Sequence, residues 1–152
     1  MTDHLCVVIQ TIVAVIGLAI VPLTLGFIAV QTRIAARATR AQVFQNIASG
    51  MIEIDRYFVD HPEYKPYFGG DKDIDESDPE HSRVLAIAEW IMDWMDNSCD
   101  QGGYISPEPR SSWYCYFRDL MSSSPIMRRF WEENRAWYSE PLRRVLDEAA
   151  TL

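Results

Sequence analysis

From Thr11 to Val30 the chain carries twenty consecutive residues without a charged side chain. At ~1.5 Å per residue, a helix of that length spans ~30 Å, the thickness of a bilayer's hydrocarbon core. Leu5–Ile9 extends the run, with only Gln10 between. A soluble chain of 152 residues has too little material to surround such a helix on every side, so the run is expected to cross a membrane. A cleaved signal peptide would show a basic start and an apolar core of about 7–15 residues. Here the start is Met1-Thr2-Asp3-His4 and the apolar run is longer, so a retained anchor is expected.

The flanks set the expected orientation. Residues 1–30 hold one acidic residue, Asp3, and no Lys or Arg, whereas Arg33, Arg37 and Arg40 follow the run closely. Basic residues stay on the cytoplasmic side. The N-terminus should therefore face out and the remainder should lie in the cytoplasm. The same three arginines can contact anionic lipid headgroups at roughly 1 kcal/mol each. Pro22 is expected to kink the span. No GxxxG pattern is present, because Val21 and Val30 stand four residues after Gly17 and Gly26.

Beyond the span the pattern is helical. Phe44, Ile47, Met51, Ile54 and Phe58 recur every three or four residues. The spanning helix should run on to about Val59, with room for a break near Arg33–Arg40. His61-Pro62 ends it. Residues 61–79 read as a loop. Asp78-Pro79 reads as cap and first turn of a helix over about 79–97, apolar nearly all round. Residues 98–112 read as a second loop, before a helix from about Ser112 to Met121. Ser124-Pro125 opens a further helix that carries Met127, Phe130, Trp131, Asn134 and Tyr138. Ser139 reads as the cap of a last short helix. No alternating strand pattern appears, so the expected fold is all-α. It comprises a short extracytoplasmic stretch (1–4), a transmembrane helix (5–31), a membrane-proximal helix (32–60) and a cytoplasmic helical domain (61–152).

Charge and chemistry narrow the function classes. The formal charge is −8, from 22 acidic and 14 basic residues, which argues against nucleic acid as a partner. Three scattered cysteines fit neither a disulfide scaffold nor a CxxC zinc site. Cys99 and Cys115 are expected to be reduced. The run Asp71, Asp73, Asp75, Glu76, Asp78, Glu80 starts like a calcium loop but fails it. Glu76 stands where the loop needs Gly, and Ser82 where it needs Glu. Glu89, Asp93 and Asp96 read as a solvent-facing stripe, with no Glu-x-x-His pair for a di-iron site. His4, His61 and His81 lack partners in the sequence pattern. No catalytic residue, cofactor or metal ligand is assigned. Residues 53–108 carry 15 acids against 4 bases, and residues 109–152 carry 6 against 7, so pairing between these two stretches is expected.

Several short motifs carry a resemblance. They are His61-Pro62-Glu63, Pro66-Tyr67-Phe68, Trp113-x-x-Tyr116-x-Arg118-Asp119, Ser124-Pro125, Glu133-Asn134 and Tyr138. With these, the chain from about residue 30 onward resembles a family of small uncharacterised bacterial proteins of actinobacterial type. Members have one N-terminal spanning helix and a helical cytoplasmic domain. The acidic stretch 71–80 and residues 100–110 depart from it. The resemblance implies the bacterial inner (cytoplasmic) membrane and adds no catalytic residues.

Of 18 aromatic residues, 16 lie between Tyr57 and Tyr138. Their bland use is a small core. Their sharper use is an exposed patch for a partner. The sequence therefore favours a single-pass anchored protein that works by protein–protein contact, as accessory subunit, scaffold or signalling module. The bilayer and a protein are the expected partners. Trp113, Tyr116, Arg128, Arg129, Trp131 and Trp137 are the candidate interaction surface. A lipid- or small-ligand-binding helical domain and an anchored metal-dependent enzyme are the alternatives.

Overall fold

The computed structural model describes the backbone of residues 2–147 and the side chains of residues 14–18 and 20–147. The fold is all-α. Among the described residues six α-helices follow in order: α1 (Thr2–Asp60), α2 (Lys65–Gly69), α3 (His81–Asp100), α4 (Pro107–Ser123), α5 (Pro125–Asn134) and α6 (Glu140–Asp147). Two 3-10 turns, Gln101–Tyr104 and Arg135–Trp137, join α3 to α4 and α5 to α6. The chain divides into two compact units, Met1–Ala41 and Gln42–Leu152.

The first unit holds the N-terminal part of α1. Among the described helices α1 alone is long and apolar enough to cross a membrane. Its large apolar side chains from Val15 to Val30 are exposed, Leu18 by 78% and Leu23 by 73%. Pro22 lies inside the helix without ending it. Thr24 and Thr32 turn their hydroxyls back onto the carbonyls of Ile20 (2.9 Å) and Ile28 (2.8 Å). Each contact satisfies the hydroxyl within its own helix. No break occurs at Arg33–Arg40; helix persists through them.

The second unit is a packed helical bundle. Its division from the first falls after Ala41 rather than at the end of α1, because Ile47 and Ile54 are already core residues. The expected seam is only partly inward. Ile47 is fully buried, Met51 and Phe58 half-buried, and Phe44 43% exposed. α3 fills the centre, burying Val84, Ile87, Ala88, Ile91, Met92, Trp94, Met95 and Cys99. The indole Nε1 of Trp94 donates to the carbonyl of Ile47 at 2.9 Å. Gly50 permits that approach, since a Cβ there would stand 2.7 Å from Trp94 Cδ1.

Several expected boundaries move, each for a local reason. α3 begins at His81 rather than Pro79. The Asp78 carboxylate instead closes a turn by accepting from the Glu80 N–H at 2.8 Å. α4 begins at Pro107, not Ser112. Pro107 and Pro109 both fall in the first turn, where backbone N–H groups have no helical acceptor to lose. Gly102-Gly103 is a 3-10 turn, and residues 98–100 still belong to α3. The stretch 61–79 contains the single-turn α2. Tyr138 lies beyond α5, in extended backbone.

Ser124 joins α5 to α2. Its hydroxyl donates to the Tyr67 carbonyl at 2.7 Å and accepts from the Met127 N–H at 3.1 Å. It is fully buried. Ser124→Ala is expected to cost about 2 kcal/mol, by loss of the cap and of the partner for Tyr67. Gly50→Ala should cost ~1–2 kcal/mol, because overpacking against Trp94 outweighs the gain in helix propensity. Both are read from denaturant midpoints of the full chain in detergent.

Candidate functional site

Polar and aromatic side chains fall into three sets in the second unit. The first set ties loops down. The Tyr64 hydroxyl donates to Glu80 Oε2 at 2.5 Å and accepts from Arg83 at 2.9 Å. The Glu80 carboxylate and burial together push that hydroxyl's pKa up. The His61 ring lies tilted beside Tyr57 (4.7 Å between rings), with Nδ1 3.5 Å from Glu63. Tyr64 is buried, so the cluster holds the stretch between α1 and α3. His81 is half-buried at the start of α3; the side chains of His4 and Cys6 lie outside those described.

The second set comprises the acidic loop and its arginines. Asp75 accepts from Ser77 N (2.9 Å) and Oγ (2.8 Å), which lowers its pKa. Asp71 sits in the left-handed region at φ 54°, and its N–H donates to the Ser123 carbonyl at 3.1 Å. Arg129 reaches Asp73 at 3.2 Å and the Ile74 carbonyl at 3.3 Å. Arg128 stands 3.9 Å from Asp71. Its stronger contacts are with the last carbonyls of α4, Met121 at 3.0 Å and Ser122 at 2.5 Å. These pairs join the acidic stretch to the basic one. Among the described residues no three His, Cys, Asp or Glu side chains converge as a metal site.

The third set is the acidic face of α3. Asp96 is half-buried and accepts from both Ser139 N (3.0 Å) and Oγ (2.6 Å). The expectation of a purely solvent-facing stripe therefore fails at this residue. The Ser139 hydroxyl is spent on Asp96, 43 positions away, which no local pattern announces. Burial, with Glu89 and Asp96 beside it, raises the pKa of Asp93. Cys99 is buried and its thiol is pushed up to about 12, chiefly by burial, which keeps it from acting as a thiolate. Cys115 is exposed.

The six residues of the candidate interaction surface scatter. Trp131 is core, 8% exposed, beside Tyr138 at 5.9 Å between rings, so it presents little surface. Trp113 is half-buried and stacks on Phe44 at 5.6 Å. Tyr116 is partly exposed, edge-on to Trp94 and Phe117. Arg128 and Arg129 are engaged with the acidic loop and the end of α4. Trp137 stands out at 69% exposed, on the 3-10 turn after α5. Tyr104, Ile52 and Val59 are exposed as well, and no sequence pattern marks them. Arg33, Arg37 and Arg40 are all exposed on α1.

Concave surface is modest. A groove of about 250 Å³ runs between Met121, Trp131 and Leu146, edged by Arg118 and Arg128. A larger opening of about 590 Å³ lies over Asp73, Asp75, Glu76 and Arg129. It is a polar surface cleft, unlike the mostly apolar pockets that enclose small ligands.

Two outcomes are expected. Asp96→Ala should cost ~1–2 kcal/mol by stranding the Ser139 donors, read from denaturant midpoints. Asp93 has its folded pKa raised, so its charge costs stability above the unfolded pKa and that cost vanishes as pH falls below it. Asp93→Asn should thus raise the melting temperature at pH 7, and the difference should close towards pH 3. No protein-family model, curated protein or solved structure matches the chain, so its functional reading rests on its own residues.

Proposed function

We propose that the chain is a single-pass, membrane-anchored helical module that works by binding another protein, with its C-terminal unit in the cytoplasm. One observation carries this reading. The apolar side chains of α1 from Val15 to Val30 are exposed, and a stretch of such length is stable only in lipid or against other apolar helices. Three arginines lie just after the stretch and none precedes it, which supports the cytoplasmic side for the C-terminal unit. The bacterial inner membrane is the site implied by the motif resemblance.

The second unit supports a binding role. It spends most of its aromatic residues on its own core and leaves Trp137 exposed on a short 3-10 turn. Tryptophan is enriched among the few residues that dominate protein interfaces. Trp137 is the residue assigned to that contact.

Gentle detergent extraction of the tagged chain, with size estimation and mass spectrometry of the product, tests the reading. A stoichiometric companion is expected. Trp137→Ala should lose it while moving the denaturant midpoint by less than ~0.5 kcal/mol, as for an exposed side chain. A clean monomer or homo-oligomer would overturn the proposal.

A further inference from the structure

We infer that Arg33, Arg37 and Arg40 form a one-sided cradle for anionic phospholipid headgroups; this rests on the membrane-anchored reading and adds a lipid class to it. Successive helical residues turn by ~100°, so positions 33, 37 and 40 fall within an arc of about 60°. All three are exposed, and α1 is unbroken through them. The other positions from 34 to 41 are Ile34, Ala35, Ala36, Ala38, Thr39 and Ala41. Positive charge is thus confined to one face. The topology rule counts basic residues and is indifferent to which face they occupy, so it does not account for the confinement.

Charge balance along α1 favours an external anion. No Asp or Glu occurs between Asp3 and Glu53, so no carboxylate lies within one helical turn of any of the three. Among the described residues no ion pair involves them.

Geometry points the arginines at the bilayer. Side chains on a helix lean towards its N-terminus, here towards the apolar run that ends at Val30. Arg33 stands ~4.5 Å beyond Val30 along the axis, Arg37 ~10 Å and Arg40 ~15 Å. The headgroup layer is roughly 5–8 Å deep on each side, and the backward lean shortens the reach of the outer two. Guanidinium binds phosphate oxygens in a planar, two-pronged fashion. Three guanidiniums on one face favour lipids of net negative charge over zwitterionic ones, whose own ammonium competes.

The test uses the full chain in vesicles of phosphatidylcholine with a minor share of phosphatidylglycerol. Vesicles are washed in alkaline carbonate, and the chain is then purified in mild detergent with its retained lipid measured by mass spectrometry. The phosphatidylglycerol share is expected to exceed the bulk share roughly fivefold, the scale of one arginine–headgroup contact. Arg33→Gln/Arg37→Gln/Arg40→Gln should return it to the bulk share. A second variant, Ala35→Arg with Arg37→Gln, keeps three arginines but moves one to the opposite face, and should lower the enrichment. Wild-type lipid at the bulk share, with the chain still in the washed membrane, would overturn the cradle and leave the anchor standing. Undiminished enrichment in the relocated variant would overturn the one-sided arrangement. Loss of the wild-type chain to the carbonate wash would overturn the anchor and the cradle with it.

Discussion

The second unit depends on the close approach of α1 and α3 at Gly50. The Trp94 indole lies against the glycine backbone and donates to the Ile47 carbonyl. That carbonyl belongs to a regular helix, so the indole is an added donor rather than a substitute for the helical bond. The contact buries a polar N–H with its partner and removes a large ring from water. It also places Trp94 edge-on to Phe117 at 5.3 Å, which brings α4 onto the same core. A side chain at position 50 would crowd the ring and strain its packing against α1 and α4.

Around that core, polar groups fix the connections. Ser124 binds the Tyr67 carbonyl, Asp96 gathers Ser139, and Tyr64 bridges Glu80 and Arg83. Each couples a loop or helix end to an element distant in sequence. Arg128 and Arg129 do the same between the acidic loop and α5. Exposed ion pairs contribute little individually, but Arg128 also covers carbonyls at the end of α4, where the helix itself supplies no donors. Arginines that read in sequence as a surface for partners thus serve the fold first. Trp137 has no such duty, and its exposure is what recommends it for recognition.

Local patterns made the helices legible. Ser124-Pro125 marked the start of α5, and the apolar wrap of residues 84–95 marked α3 as central. The single-turn α2 was invisible because five residues carry no period. The start of α4 was missed because Pro107 and Pro109 read as loop breakers, although both are tolerated in a first turn. Trp131 and Trp137 are alike in sequence, each a tryptophan near the end of α5. Only packing separates them, one against Tyr138 in the core and the other in solvent.

The sequence by itself determined that the chain is all-α and that its N-terminal helix is long and apolar enough to cross a bilayer. Those properties arise from local composition and period, which need no knowledge of neighbours. The tertiary structure decided which aromatic residues are core, which arginines are spoken for, and that Asp96 receives Ser139. These depend on residues distant along the chain, and side-chain spacing along one helix carries no information about what packs against it.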